Sequence, residues 1–202
     1  TLPLMQGGMS LDSILFHRFL FATLALAGMM KLHKEPFGIE GRDIPFLLLL
    51  AGFYTASALF LFWGYDFMGA GVATTLHFTY PVFVTLLMLV LFRERASWGT
   101  WAAIVLAIYG VAKLSLKGGE LVLDPMGMVI VLLSAVGYAS YITTVNKSRV
   151  RTMNSRKLAF YVFVFTTLMF AVKAGLNEGI QPIPDALSAT NLILLAVVPT
   201  VI

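Results

Sequence analysis

Residues 69–112 hold two unbroken apolar runs separated only by a short polar mark at Arg93-Glu94-Arg95, and this stretch limits the chain more than any other. The run Gly69 to Phe92 is about 24 residues, enough at roughly 1.5 Å per residue to cross a hydrocarbon layer of about 30 Å. A second run starts at Trp98 and continues through Leu116, with Lys113 placed to snorkel. A connection this short between two spans predicts an antiparallel helical hairpin. In lipid each backbone polar group must be satisfied within its own segment, which selects helices here.

The rest of the chain agrees with a membrane setting. Hydrophobic residues make up 59% and charged residues 12%, against about 25% charged in soluble domains. The net charge of +4 is small, and its distribution speaks to orientation rather than to nucleic acid. There is no cysteine, which removes disulfides, thiolate nucleophiles and cysteine metal sites.

The pattern predicts about seven spans: A, Leu11 to Met30; B, Ile44 to Tyr65; C, Gly69 to Phe92; D, Trp98 to Leu116; E, Met126 to Val145; F, Leu158 to Leu176; and G from Asn191. Asp66 is expected in a tight turn between B and C. The chain starts at Thr1, without a signal-peptide pattern, and stops at Ile202 inside an apolar run. It therefore reads as a fragment of a longer polytopic protein.

Basic residues fix the expected orientation. Lys31, Lys34, Arg42, Arg93, Arg95, Lys147, Arg149, Arg151, Arg156 and Lys157 follow spans A, C and E, whereas only Lys113, Lys117 and Lys173 follow B, D and F. The acids Asp66, Glu120, Asp124, Glu178 and Asp185 lie with the second set. The first set is expected in the cytoplasm, with Asp12 on the outer side.

At an offset of 145, Leu47-Leu48-Leu49-Leu50-Ala51 and Thr55 align with Leu192-Ile193-Leu194-Leu195-Ala196 and Thr200. Span A then lies on span F. The loop before B is basic and the loop before G acidic, so the copies are inverted, a design of many secondary transporters. If B pairs with G, the plan is five helices per repeat and ten in all.

These features resemble the EamA family of the drug/metabolite transporter superfamily. The resemblance rests on Arg18-Phe19, Tyr65-Asp66, Gly71-Val72-Ala73, Tyr80-Pro81-Val82-Phe83, Arg93-Glu94-Arg95, Gly99 through Gly110, and Gly127 with Tyr138 and Tyr141. It implies an all-α polytopic membrane protein of two inverted five-helix repeats, exporting or importing small metabolites. On that plan residues 1–117 are the first repeat without its first helix. Residues 126–202 are the second, cut in its third helix. The bacterial cytoplasmic (inner) membrane is the expected location, with a small-molecule substrate and the bilayer as partners.

Candidate site residues follow from polarity at depth. Pro81 lies mid-span, removes one backbone hydrogen bond and predicts a kink; it lines a cavity or merely serves packing. Ala70, Thr74, His77 and Pro81 share a face at helical spacing. His77 is costly against lipid and should face the interior, as a substrate ligand or as a histidine satisfied by a neighbouring helix. Tyr80 stands beside Pro81. Tyr138 and Tyr141 share a face with Ser134, and Tyr54 with Ser57; their polar tips suit an amphipathic solute. Trp63, Tyr65, Trp98 and Trp101 fit an interfacial belt. Arg18, about 10 Å deep, attracts an anionic group, snorkels, or pairs with Asp12 or another helix. Gly99, Ala103, Ala107 and Gly110 form a small-residue stripe for close packing, within the protein or across a homodimer.

No carboxylate stands near the middle of a span, and no phosphate loop, metal-ligand spacing or nucleophile elbow is present. No catalytic residue, metal or cofactor is expected. The leading expectation is a secondary transporter working by alternating access around a midplane cavity. The alternatives are an intramembrane enzyme using Ser134 or Ser57 with His77, and a non-transporting membrane scaffold.

Overall fold

A computed structural model describes residues 9–94, 97–117, 120–121, 124–177 and 179–197. Of the residues singled out above, Arg95, Glu178 and Thr200 lie outside that set. The described residues form α1 (Leu11–Leu32), α2 (Ile44–His77), α3 (Tyr80–Phe92), α4 (Trp98–Ser115), α5 (Pro125–Lys147), α6 (Ser155–Leu176) and α7 (Ala186–Val197), with a 3₁₀ turn at Arg149–Thr152. The strands β1 (Leu116–Lys117) and β2 (Glu120–Leu121) make a two-residue antiparallel pair between α4 and α5. The protein is an all-α polytopic membrane protein. Among the described residues four helices are long and apolar enough to cross a bilayer alone: α1, α2, α5 and α6. The shorter α3 is only the second part of span C, and large apolar side chains such as Leu106, Leu168 and Val172 stand exposed.

The chain divides into two compact units, residues 1–55 with 148–202, and residues 56–147. In the first unit α1 packs on α6 and α7. Phe19 stacks on Phe170 at 5.7 Å between ring centres and meets Phe163 at 5.6 Å. Asp12, near the start of α1, is buried, and Lys173 near the end of α6 donates to both its oxygens at 2.5 and 2.6 Å. At the other end Arg156 meets Glu35 at 2.5 Å, and Arg149 meets Glu40 at 2.6 Å and Asp43 at 2.8 Å. Lys157 and Tyr161 donate to the carbonyls of Gly38 and Phe37. The α1–α6 pair is antiparallel and pinned at both ends. The loop after span A thereby meets the loop after span E, two segments that the charge distribution assigns to one side.

Leu47 and Ala51 are fully buried, as are Leu192 and Ala196, while Leu48 and Leu49 are exposed like Ile193 and Leu194.

In the second unit the expected Asp66 turn is absent. The backbone stays helical to residue 68 and breaks at Gly69 alone, with φ 75° and ψ 159°, a conformation that suits glycine. Residues 56–68 and 70–77 then fold back on each other. A Cβ added at Gly64 would lie 4.0 Å from the Ala73 Cβ, whereas nine residues of straight helix would separate them by about 13 Å. Tyr65 and Thr74 hydroxyls meet at 3.2 Å across this hairpin. Spans B and C are antiparallel as expected, but joined by one residue rather than a loop.

Packing glycines sit elsewhere than expected. A Cβ at Gly64 would be 2.2 Å from Val131 Cγ2, and one at Gly127 would be 2.5 Å from Phe67 Cβ. Among the described residues a Cβ at Gly110 would meet nothing within 4 Å, and one at Gly99 only its neighbour Ser97, so these two glycines of the span D stripe make no close helix contact in this unit. Instead α4 carries an exposed apolar face of Trp98, Trp101, Ala102, Val105, Leu106 and Tyr109. Lys147 pairs with Glu94, joining the end of α5 to the turn after α3.

Candidate functional site

Span C is bent where proline predicts it. The first part ends at His77, Phe78 and Thr79 form a turn, and α3 starts at Tyr80 with Pro81 in its first turn. Pro81 has no N–H to give the carbonyl four residues back, so His77 loses its helical donor. The turn itself is tight: Thr79 N–H donates to the Leu76 carbonyl at 3.1 Å and Val82 N–H to the Thr79 carbonyl at 2.9 Å.

The bend places His77 against α5. The imidazole is buried, and its Nδ1 lies 3.0 Å from Ser134 Oγ. Ser134 Oγ donates to the Ser57 carbonyl at 2.6 Å, and Ser57 Oγ donates to the Ser134 carbonyl at 2.9 Å. Ser57 and Ser134 are buried as well, so the three side chains form one satisfied polar cluster inside an apolar unit.

Tyrosine rings flank the imidazole. Tyr138 lies 5.6 Å from His77 between ring centres and Tyr80 lies 6.0 Å away. Tyr80 meets Tyr138 edge-on at 4.7 Å, and Tyr141 stacks on Tyr138 at 5.7 Å. All three tyrosines are half-buried, a placement between core and surface.

Of the eight residues singled out, His77, Tyr80, Tyr138 and Tyr141 come together. Pro81 is adjacent and exposed. Thr74 is one turn away, bonded to Tyr65. Tyr54 and Arg18 belong to the first unit. There Tyr54 packs on Phe19 at 5.7 Å and Phe163 at 5.4 Å. The Arg18 guanidinium lies 5.4 Å from the Phe19 ring centre. The expected Asp12 partner is Lys173, not Arg18, with Asn177 adding a bond at 2.9 Å. This group lines an open cleft of about 480 Å³ with Ser10, Leu11 and Gly179. Ser57 and Ser134, which hold the imidazole, stand outside the predicted contact set; Ser134 is one helical turn before Tyr138, the spacing that signals a shared face.

Among the described residues no group of three His, Asp or Glu side chains is placed to hold a metal.

Apolar helices, a one-residue hairpin, a proline-bent span and a buried polar cluster beside it define an integral membrane protein of the polytopic helical class. Residues 3–116, more than half of the chain, match the EamA-like transporter family, and the chain belongs to that family. It is 26% identical over 170 residues to an uncharacterized transporter, YdfC, of Bacillus subtilis (strain 168), covering 80% of this chain and 53% of that protein. It is 26% identical over 191 residues to a probable terminal-alkyne amino-acid exporter of Streptantibioticus cattleyicolor, covering 93% of this chain and 63% of that protein. The chain thus spans less than two thirds of the length of these curated relatives. No solved structure matches it.

Proposed function

We propose that this chain is part of a secondary transporter of the bacterial cytoplasmic membrane that moves a small metabolite by alternating access. The substrate contacts His77, Tyr80, Tyr138 and Tyr141 beside the bend in span C. The observation that carries this reading is the buried imidazole held by Ser134 and flanked by half-buried tyrosines, next to the break that Pro81 imposes on span C. Ionisable side chains in membrane spans are costly and rare and tend to mark functional sites, and bent helices with freed backbone groups recur where transporters bind solutes. Family membership and a relative named as an amino-acid exporter support the class. The similarity between residues 47–51 and 192–196, in sequence and burial, supports two inverted repeats, the first reaching to about residue 117.

The enzyme alternative has its pair, since Ser134 and His77 are in contact. Its chemistry is disfavoured by the proton count. A hydroxyl 2.6 Å from a carbonyl oxygen must place its hydrogen between them, so Ser134 has no proton to give the imidazole and is not activated as a nucleophile.

Flux of metabolites, amino acids first, through proteoliposomes of the full-length protein tests the proposal. His77→Ala and Tyr138→Ala are expected to lose at least about tenfold, roughly 1.4 kcal/mol of stabilisation, with folding intact. Full flux in both variants overturns the site.

A further inference from the structure

One end of the first unit carries more positive charge than it can pair. Helix α1 stops at Leu32, while α2 starts at Ile44 and α6 at Ser155, so residues 33–43 and 148–154 lie together at the helix ends. The three carboxylates there are spent. Glu35 meets Arg156 at 2.5 Å, and Glu40 and Asp43 meet Arg149 at 2.6 and 2.8 Å. Lys157 is spent on the Gly38 carbonyl. Lys31, Lys34, Arg42 and Arg151 are exposed and have no acidic partner among the described residues. Arg42 directly precedes Asp43, and Arg151 stands two residues after Arg149. The Asp43–Arg149 pair therefore fastens together the two segments that carry the free guanidinium groups. Apolar side chains border them: Leu32, beside Lys31, is 82% exposed, and Ile44, two residues after Arg42, is 38% exposed.

We propose that this patch binds the headgroup of an anionic phospholipid, with Arg42 and Arg151 on the phosphate and the acyl chains against Leu32 and Ile44. Arginine recognises phosphate through charge-assisted, paired N–H donors. Basic surfaces at the cytoplasmic ends of membrane helices gather anionic lipid, and the excess of lysine and arginine argues for this end facing the cytoplasm. A zwitterionic lipid brings its own cation to a surface already in cationic excess. A soluble anion makes no use of Leu32 and Ile44, whereas a lipid covers them with the same molecule that meets the arginines. The binding is independent of the transport reading above.

The test uses full-length protein, delipidated in neutral maltoside micelles and titrated with phosphatidylglycerol, phosphatidylcholine or inorganic phosphate. Binding is read as a rise in Tm and as lipid adducts in native mass spectrometry. Phosphatidylglycerol is expected to raise Tm and to remain as an adduct, and the other two are not. Arg42→Gln and Arg151→Gln are each expected to weaken the response about fivefold, the equivalent of one cation at a membrane surface. Arg42→Lys and Arg151→Lys keep the charge and should keep most of the response. Both arginines are exposed and unpaired, so the lipid-free double glutamine variant should melt with the parent protein. Lys113→Gln, on α4 in the second unit, should change nothing. An equal response to phosphatidylcholine overturns the headgroup assignment. An equal response to inorganic phosphate overturns the lipid in favour of a soluble anion. Parental affinity in the double glutamine variant removes the patch, and an equal loss in Lys113→Gln would reduce the effect to net charge and overturn the site.

Discussion

Ser57 and Ser134 each donate a hydroxyl hydrogen bond to the other's backbone carbonyl, at 2.9 and 2.6 Å. The exchange ties residue 57 of α2 to the middle of α5 through two satisfied groups. Removing either hydroxyl takes away one interhelical bond, and removing that of Ser134 also frees His77. Ser134→Ala is expected to destabilise by about 1 kcal/mol, in the range of interhelical hydrogen bonds in bilayers. The double variant with Ser57→Ala should lose less than the sum of the singles, because they share one unit. Unfolding in mixed micelles measures the cycle; strict additivity would show that the hydroxyls act separately.

Two glycines are required by contact. Gly127→Ala sets a Cβ 2.5 Å from the rigid Phe67 Cβ, and Gly64→Ala sets one 2.2 Å from Val131 Cγ2. Each is expected to cost about 1–3 kcal/mol through overpacking. Gly110→Ala meets nothing within 4 Å and should be neutral or gain about 0.5–1 kcal/mol from helix entropy. Thermal unfolding should show this reversal of sign within one unit; equal losses at all three would count against the packing.

Asp12 is buried and its side chain is 11% exposed, against 39% for Lys173. Lys173→Met leaves the carboxylate with Asn177 alone and is expected to destabilise by about 1–3 kcal/mol. That is below the 3–5 kcal/mol of a fully buried pair, because water reaches the lysine. Asp12→Asn in the same background should recover part of the loss, read as a rise in melting temperature. No recovery would mean that the lysine acts through packing alone.

Asp185 precedes α7, and its carboxylate accepts from the Ser188 N–H at 2.6 Å. Bonding to the Ser188 backbone, then to its side chain, holds the Asp185 carboxyl below its ordinary value. A lowered folded value means that the cap is present at and above the unfolded value, near 3.9, and is lost as pH falls through the lower, folded one. NMR titration of Asp185 should give a midpoint below that of the Ser188→Pro variant, which has no N–H at that position. Identical midpoints would remove the cap.

The absence of cysteine in the chain makes single-cysteine labelling clean. Arg93→Cys and Arg151→Cys are expected to react from one face of the membrane and Asp185→Cys from the other. Labelling of Arg93→Cys and Arg151→Cys from opposite faces would overturn the topology.

Apolar length was enough to read the helices and the membrane setting from the sequence. The Arg149–Glu40 and Lys147–Glu94 pairs join segments assigned to one side by counting lysines and arginines. The cluster of His77 with Tyr80 and Tyr138 was legible because an imidazole and phenols at depth must face protein. What was not legible depends on distance between segments far apart in sequence. Gly64 and Gly127 look like any membrane glycines until Val131 and Phe67 arrive beside them. Lys173 as the Asp12 partner needs α1 and α6 side by side. The Asp66 turn was misplaced because a polar residue suggests a loop, while the reversal needs only a positive φ at Gly69.

That reversal makes the B–C junction a phase lock. With a single non-helical residue between the arms, there is no slack to absorb an insertion. One extra residue placed after Gly69 would turn the following arm by about 100° per residue about its axis. Ala73 would leave the Gly64 surface, Thr74 would leave Tyr65, and His77 would swing off Ser134 in the same rotation. Length variation among natural or engineered versions of this protein should therefore spare residues 64–77 and accumulate in the segments after α1 and after α6.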